Sequence, residues 1–371
     1  MMLSVIDRRL QSHFHWRLLG VVGALLFIGL LNLHSATYSI IQGGVSHLWT
    51  SQMIWLMTGI FVALILVSID YRLFTQLAYP LYIFSILLLL AVVFFGKTIA
   101  GNRNWLELGP FTFQPSEFAK ITFILVMARY LSENHSMRGY SFKELWRPAG
   151  LFLPPLLLIV LGKDMGSSLF FVLTFVSMIL FAKVKRQTLL IILILGVLGG
   201  GMGYQFLLSP HQRLRISAFL NPEEDPRGKG YHVLQSRIAV GSGRFWGKGY
   251  LKGMHNKLLY LPEKHTDFIF PVLAEEWGFV GSAVVLGLYA ALLWFGLQIA
   301  TKARDRFGVF LGFGITALLF WQIAINLGGV LGLMPLTGVT LPFLSYGGSS
   351  LLSLLVGISF LFNISMRRFI F

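Results

Sequence analysis

Long apolar runs, separated by short polar segments, repeat along the whole chain. The runs long enough to cross a bilayer as helices cover residues 18–33, 53–69, 77–95, 166–182, 188–208, 279–300, 308–330 and 349–365. Two shorter runs, 118–131 and 149–162, approach a full crossing when the polar turn at one end is included. The pattern therefore predicts an all-α polytopic membrane protein with about ten transmembrane helices.

A polar segment, residues 208–267, interrupts this series between the seventh and eighth predicted helices. Its runs SPHQ, NPEEDPRGKG and GSGRFWGKG are rich in Pro and Gly, which favours short helices and turns. The segment ends in LPEKHTDFIF, so a carboxylate stands at the start of the next helix. Because no repeat of fixed period is present, we expect residues 1–371 to form a single membrane domain with one large extracytoplasmic loop.

The basic residues predict the orientation in the membrane. Ten helices place both termini on one side, and Lys and Arg accumulate in short cytoplasmic connections. The short connections of the other side contain only Lys97, Arg103 and Lys163. The termini and the even-numbered connections contain Arg8, Arg9, Arg17, Arg72, Arg129, Arg138, Lys143, Arg147, Lys183, Lys185, Arg186, Lys302, Arg304, Arg306, Arg367 and Arg368. Both termini are therefore predicted to be cytoplasmic.

Composition agrees with a membrane protein, since 56% of the residues are apolar and 12% are charged. Most of the net charge of +15 lies in the predicted cytoplasmic belt and no nucleic-acid-binding motif accompanies it, so we expect no nucleic-acid partner. The remaining basic residues lie in the long loop and favour an anionic partner. The absence of Cys excludes disulfides and thiolate metal sites.

The motif QPSEFAK places Glu117 and Lys120 three residues apart, on one face of the fourth predicted helix. Ionisable residues in a membrane helix usually face a cavity or a partner, which favours a functional site. The alternative is a mutual ion pair in a helix that begins at Pro115 and Ser116.

The motif GKDMGSS places Lys163 and Asp164 in a very short connection at the outer membrane surface. Asp164 is a candidate for binding substrate, and the alternative is that it only caps the sixth helix.

A third group contains Arg213 and Arg215, with Gln235 and Arg237 in QSRIAVGSG. Guanidinium groups bind phosphate bidentately, and nearby glycines let backbone amides approach an anion. The alternative is a solvated basic surface or a contact with lipid headgroups.

The fourth group is His265, Thr266 and Asp267. Burial beside Phe268, Ile269 and Phe270 would raise the pKa of Asp267 and strengthen it as a base. The alternative is that Thr266 or Asp267 is the N-cap of a helix beginning at Phe268. Eight and nine residues after Asp267 come Glu275 and Glu276, of which one is expected to face inward as a polar partner or as a helix-packing contact.

These motifs resemble those of the SEDS (shape, elongation, division, sporulation) family of bacterial membrane proteins. QPSEFAK, NPEEDPRGKGYHVLQSRIAVGSG, LPEKHTDFIF, LAEEWG and LPFLSYGGSS occur in the family's order over nearly the whole chain. GYHVLQSRIAVGSG and the short N-terminal segment favour the cell-elongation branch over the division branch. Asn104 beside Trp105, and Thr112 before QPSE, depart from the family pattern, so the identity of the phosphate-binding arginine stays open.

The resemblance implies a ten-helix peptidoglycan glycosyltransferase that polymerises lipid II, an undecaprenyl-pyrophosphoryl disaccharide pentapeptide. It implies a bacterial inner-membrane protein whose site faces outward, with a class B penicillin-binding transpeptidase and other elongation-complex proteins as partners. Asp267 would be the essential carboxylate. The residues expected to bind substrate are Glu117, Lys120, Arg103, Lys163, Asp164, Arg213, Arg215, Gln235, Arg237, His265, Thr266 and Ser345. No cofactor is expected, because the sequence contains no recognisable cluster of metal ligands. The alternative is a divalent Mg²⁺ or Mn²⁺ ion.

The chemistry of this reaction fits the residues. Joining a sugar 4-hydroxyl to an anomeric carbon that bears pyrophosphate requires a base for the hydroxyl and cations for the leaving group. It requires no acid, because pyrophosphate leaves without protonation. Asp267 is the expected base in an inverting attack, and Lys120, Arg213 and Arg215 are the expected pyrophosphate ligands. The rival functions are a lipid II transporter, whose essential charges belong near the bilayer midplane, a scaffold that recruits a transpeptidase, and a division-type paralogue.

Overall fold

A computed structural model describes residues 14–38, 47–99, 102–108, 111–134, 139–202, 213, 217, 219–220, 229–253 and 265–368. Within these residues the longer α-helices are α1 (Trp16–Thr37), α2 (His47–Ser68), α3 (Leu73–Phe95), α4 (Pro115–Glu133), α5 (Trp146–Leu161), α6 (Met165–Phe181), α7 (Arg186–Met202), α8 (Lys229–Ser242), α9 (Ile269–Thr301), α10 (Arg306–Val330) and α11 (Gly348–Met366). A 3₁₀ turn, Phe142–Leu145, leads directly into α5. The predicted helical membrane architecture is confirmed.

Among the described residues, seven helical segments are long and apolar enough to cross a membrane. They are Trp16–Thr37, His47–Ser68, Leu73–Phe95, Phe142–Leu161, Ile269–Thr301, Arg306–Val330 and Gly348–Met366. The helices α6 and α7 are apolar but shorter, at 17 residues each. The fourth predicted span is α4, which is 19 residues long and contains several charged residues, so it is not among these seven. The count of ten crossings therefore stays a prediction.

The most buried part of the fold surrounds α4. Nearly every residue from Pro115 to Leu131 is buried, and α4 packs against α3, α5, α6, α10 and α11. Since apolar and polar residues alike are covered on all its faces, α4 has no lipid-facing stripe of the kind that a peripheral helix shows. It is the central helix of the described structure.

Three short strands, which the hydrophobic pattern did not predict, connect α3 to α4. They are β1 (Lys97–Ile99), β2 (Asn102–Leu108) and β3 (Phe111–Phe113), and they form an antiparallel sheet in the order β1-β2-β3. Lys97 lies opposite Trp105, and Leu106 lies opposite Phe113. The amide of Arg103 donates to the carbonyl of Gly162 at 3.0 Å, which ties the sheet to the end of α5.

A break inside α9 separates its first two turns from the long apolar part. Gly278 has φ 65° and ψ −159°, a conformation that residues with a Cβ rarely adopt. The segment 243–253 after α8 enters this break, where the amides of Phe279 and Val280 donate to the carbonyls of Arg244 and Phe245. The described part of the long loop therefore contains a helix and turns, as predicted, and packs on α9.

Candidate functional site

The motif QPSEFAK forms a buried ion pair on α4. Lys120 Nζ donates to Glu117 Oε1 at 2.7 Å, and the two side chains are 3% and 10% exposed. Glu117 Oε2 accepts from Ser353 Oγ of α11 at 3.0 Å. Lys120 Nζ also lies 5.1 Å from the ring centre of Phe170 on α6. The two predicted site residues are therefore joined to each other and to both neighbouring helices.

Ser353 connects this pair to the segment before α11. Its hydroxyl lies 3.2 Å from the carbonyl of Ser350, and Ser350 Oγ lies 2.9 Å from Thr340 Oγ1. Gln322 Nε2 of α10 donates to both of these hydroxyls at 3.4 Å. Polar groups of α4, α10 and α11 thus meet at one end of the helices, since α4 and α11 both begin there.

The same segment fixes the backbone around Asp267. Asn326 Nδ2 of α10 donates to the carbonyl of Val339 at 2.6 Å and to the carbonyl of Asp267 at 3.1 Å. Ser345 Oγ donates to the carbonyl of Thr266 at 2.7 Å, and the amide of Tyr346 donates to the carbonyl of His265 at 2.8 Å. Three successive carbonyls are therefore anchored. We call the set Lys120, Glu117, Ser353, Ser350, Thr340, Asn326 and the main chain of Asp267 the polar network.

Asp267 stands at the head of α9, in a half-buried position. The helix begins at Ile269, and its N-cap residue is Phe268. The N-cap position therefore falls one residue later than this alternative supposed, and the role of Asp267 as a base stays a prediction. Phe268, Ile269 and Phe270 are all buried, as expected.

Asp164 is the N-cap of α6, as predicted, and its role in binding substrate stays a prediction. Its Oδ1 accepts from the amide of Ser167 at 3.0 Å. Its Oδ2 also accepts from Gln114 Nε2 at 3.1 Å and lies 3.4 Å from Ser116 Oγ. The amide of Gln114 donates to Ser349 Oγ, so Asp164 joins the starts of α4, α6 and α11.

The two basic residues predicted near Asp164 lie on the surface. Lys163 is exposed and has φ 61°, an uncommon conformation for a residue other than glycine. Arg103 is also exposed, and its guanidinium donates to the carbonyls of Gly96 and Phe94 at 2.8 and 2.7 Å. These bonds satisfy carbonyls at the end of α3. Arg103 therefore has a structural contact, and its role in binding substrate stays a prediction.

The described residues of the long loop contact the end of α10. Arg237 of α8 donates to the carbonyl of Gly332 at 2.8 Å, and Ser236 Oγ donates to the carbonyl of Val330 at 2.8 Å, so α8 is attached to the end of α10. Gln235 is half-buried on the same helix, and Arg213 is exposed. Arg215 lies outside the described residues.

Glu275 and Glu276 are both buried, where one inward-facing residue was predicted. Lys248 Nζ donates to Glu275 Oε1 at 2.6 Å, and Ser35 Oγ of α1 donates to Glu276 Oε1 at 2.5 Å. The amides of Lys248 and Gly249 donate to the carbonyls of these two glutamates. The Glu275 carboxylate therefore fastens the loop after α8 to the broken helix, and the Glu276 carboxylate binds both α1 and the amides of Leu251 and Gly253 in that loop.

Sequence reasoning missed Ser353, Asn326, Gln322 and Thr340. Each is an uncharged polar residue in an apolar helix or a short connection, and a buried hydroxyl or amide in a membrane helix is the signal that would have found them. In the described part of the chain, no three His, Cys, Asp or Glu side chains come together as a metal site.

Comparison with known proteins places this architecture in a family. The family FTSW_RODA_SPOVE, described as a cell cycle protein, matches residues 16–369. Peptidoglycan glycosyltransferase MrdB of Escherichia coli (strain K12) is 38% identical over 310 residues, covering 84% of this chain and 83% of MrdB. Stage V sporulation protein E of Bacillus subtilis (strain 168) is 38% identical over 318 residues, covering 85% of this chain and 86% of that protein. A chain in the solved structure of a peptidoglycan synthase complex that coordinates polymerization and crosslinking is 33% identical, with a TM-score of 0.81 over 96% of this chain and 98% of that chain.

Proposed function

This chain belongs to the FTSW_RODA_SPOVE family, and from this membership and the polar network we propose that it is a peptidoglycan glycosyltransferase that polymerises lipid II. The observation that carries the proposal is the anchoring of the Asp267 segment. Three successive carbonyls are held by Tyr346, Ser345 and Asn326, so the Asp267 carboxylate is attached to a fixed backbone. A general base must be held in position before its substrate arrives, and this segment provides such a position.

In the proposed reaction, the Asp267 carboxylate accepts the proton of the acceptor 4-hydroxyl. The hydroxyl oxygen forms a bond to the anomeric carbon of the donor from the face opposite to the pyrophosphate. The bond from that carbon to the pyrophosphate oxygen breaks, and its electron pair leaves with undecaprenyl pyrophosphate, so the anomeric centre is inverted. The leaving group already carries its negative charge on phosphate, and it therefore requires cations in place of an acid.

The cations that we assign to pyrophosphate are Lys120 and Lys163, with Arg213 and Arg215 from the loop. Lys120 is positioned by the 2.7 Å bond to Glu117, and Ser353 in turn holds Glu117. This arrangement supports a role for Glu117 in orienting Lys120. A divalent Mg²⁺ or Mn²⁺ ion is the alternative addition to this proposal, and Glu117 would share its coordination with the pyrophosphate oxygens, because each Glu117 oxygen keeps a lone pair beside the hydrogen bond that it accepts.

The proposed orientation puts the polar network outside and both termini in the cytoplasm. The network lies where α4 and α11 begin. Arg129 lies in the last turns of α4, Arg306 begins α10, and Arg367 follows α11, all at the opposite end. The excess of Lys and Arg at that end supports a cytoplasmic assignment. Lipid II then meets the network from the outer leaflet.

We further propose that the chain serves cell elongation beside a class B penicillin-binding transpeptidase. The motif GYHVLQSRIAVGSG supports the elongation assignment, and the synthase-complex chain that this protein resembles supports a partner. Expression in a rod-shaped bacterium depleted of its own elongation protein tests the assignment. Recovery of rod shape is expected, and recovery of septation alone would assign the chain to division.

The activity is tested by incubating the purified chain with lipid II, with and without a matched transpeptidase, and separating the products on a gel. Asp267→Asn should abolish polymer while the variant still binds the transpeptidase. Glu133→Gln, an exposed carboxylate at the other end of α4, is the matched control and should polymerise normally. Polymer from Asp267→Asn at the wild-type rate would assign the base to another residue.

A further inference from the structure

A basic pocket lies at the end of the helices opposite to the polar network. It is lined by Arg72 before α3, Thr75 of α3, Ser132 of α4, Arg304 and Asp305 before α10, and Arg306 at the start of α10. Its volume is about 510 Å³, within the range of pockets that hold small molecules. None of these residues takes part in the proposed reaction.

The lining of this pocket is predominantly basic, with three arginines and one carboxylate. Asp305 is its carboxylate, and both oxygens have partners: Oδ1 accepts from the amide of Gly308 at 2.7 Å, and Oδ2 accepts from Tyr71 Oη at 2.5 Å. Arg72 Nε lies 3.6 Å from the same Oδ2. Three arginines and one carboxylate, which already caps α10, therefore line the pocket, and a second carboxylate, Asp70, lies outside the lining beside Arg72 and Arg367. An anion with several oxygens would complement the three arginines, and arginine matches phosphate geometry bidentately.

The wall of the pocket is rigid. Tyr71 is 1% exposed, and its amide donates to Asn363 Oδ1 at 3.1 Å. Asn363 is itself fully buried, and it donates to the carbonyls of Leu66 and Ile69 and accepts from Arg367. Arg72 and Asp305 are therefore carried by a network that joins the ends of α2, α3, α10 and α11. A binding site built on such a support loses little entropy when a ligand arrives.

Apolar surface lies beside the basic groups. Phe307 lines the pocket beside the arginines, and Leu73 and Leu77, which are 46% and 37% exposed, present apolar surface on the other side of α3 from Thr75. A ligand with a phosphate head and an apolar tail would satisfy both surfaces. Basic pockets between transmembrane helices at the cytoplasmic side are known to take acidic lipid headgroups. We propose that this pocket binds the phosphate of an anionic ligand, with an acidic phospholipid of the inner leaflet as its source.

The test uses the purified full-length chain in detergent and native mass spectrometry. The lipids are phosphatidylglycerol and phosphatidylcholine with identical acyl chains. Wild type should retain phosphatidylglycerol preferentially. The variant R72Q/R304Q/R306Q should bind it about 100-fold more weakly, at about fivefold for each arginine. The matched control, K183Q/K185Q/R186Q, removes the same charge from exposed residues in the connection after α6 and at the start of α7, and it should bind as wild type does.

A second variant guards against misfolding. R304Q/R306Q leaves the contact between Arg72 and Asp305 in place. This variant should bind phosphatidylglycerol about 25-fold more weakly than wild type and keep an unchanged gel-filtration profile. Excess glycerol 3-phosphate distinguishes the two sources of phosphate. Failure to displace the lipid supports a phospholipid site, and displacement assigns the same pocket to a soluble phosphate compound. Equal lipid retention by the two triple variants would overturn the proposal and leave these arginines with a role in topology alone.

Discussion

Breaking the buried ion pair of α4 should cost far more stability than removing it whole. Replacing Lys120 by Met leaves the Glu117 carboxylate buried beside the hydroxyl of Ser353, without its ammonium partner. Because the two side chains are only 3% and 10% exposed, solvent cannot replace the lost partner. Removing one member of such a pair costs about 3–5 kcal/mol of unfolding free energy.

The double variant Glu117→Gln/Lys120→Met should recover most of that loss. The amide of Gln can still accept from Ser353, and Met fills most of the space of Lys beside Phe170. Replacing a buried ion pair by uncharged residues of similar volume often changes the unfolding free energy very little. We therefore expect a coupling energy of about 3 kcal/mol between positions 117 and 120. The measurement is a double-mutant cycle from denaturant unfolding in detergent.

The exposed pair of Arg129 and Glu133 provides the control at the other end of the same helix. Its atoms are 2.8 Å apart, but the side chains are 26% and 48% exposed. Its coupling energy should be about 0.5 kcal/mol, as is usual for such surface pairs. A coupling energy for Glu117 and Lys120 no larger than this would refute the burial argument. A stable double variant that polymerised lipid II at the wild-type rate would remove the pair from the proposed reaction.

Three further predictions concern single positions. Gly278→Ala should destabilise the protein by about 2 kcal/mol or more and expose segment 243–253 to proteases, because a Cβ at position 278 would lie 2.3 Å from the backbone nitrogen of Gly247. The control is Gly287→Ala on the same helix, where an added Cβ would have no atom within 4 Å, and this change should leave the stability unchanged or raise it slightly. Ser353→Ala should cost about 1 kcal/mol of stability and lower the polymerisation rate more than the affinity for lipid II. His15 caps α1 through Nδ1, and burial lowers the pKa of its imidazole below the ordinary 6.5. The neutral imidazole therefore stabilises the folded protein fully above pH 6.5, and this stabilisation decreases as the pH falls toward the pKa of His15 in the folded state. Melting temperatures should therefore fall less steeply with acid in His15→Asn, and equal slopes would contradict this assignment.

The order of the helices was predictable because each apolar run is a local signal. Even the short run 118–131 corresponds to a helix, since Pro115 begins it and Glu133 ends it. The strands between α3 and α4 were not predictable in this way. Lys97–Ile99 and Phe111–Phe113 have three residues each, and they become strands only because Asn102–Leu108 pairs with both. A pattern three residues long carries no detectable period.

The charged members of the site were predictable, and their partners were not. Glu117, Lys120, Asp164 and Asp267 attract attention because charge is costly in a membrane protein. Ser353 lies 236 positions from Glu117, and its hydroxyl resembles those of many other serines in packed helices. Nothing local in the sequence selects it. Only the packing of α11 against α4 brings the two residues together.

The charges of α4 also explain the arrangement of the whole fold. Glu117, Lys120 and Arg129 reduce the apolar character of this helix, which is why it differs from the neighbouring spans in composition. A helix with these charges cannot lie against lipid, because an ion in hydrocarbon costs several kcal/mol. It must be covered on all sides by other helices, and α3, α5, α6, α10 and α11 cover it. The requirement to enclose Glu117 and Lys120 therefore brings the starts of α4, α6 and α11 together, and that convergence is what assembles the polar network beside Asp267.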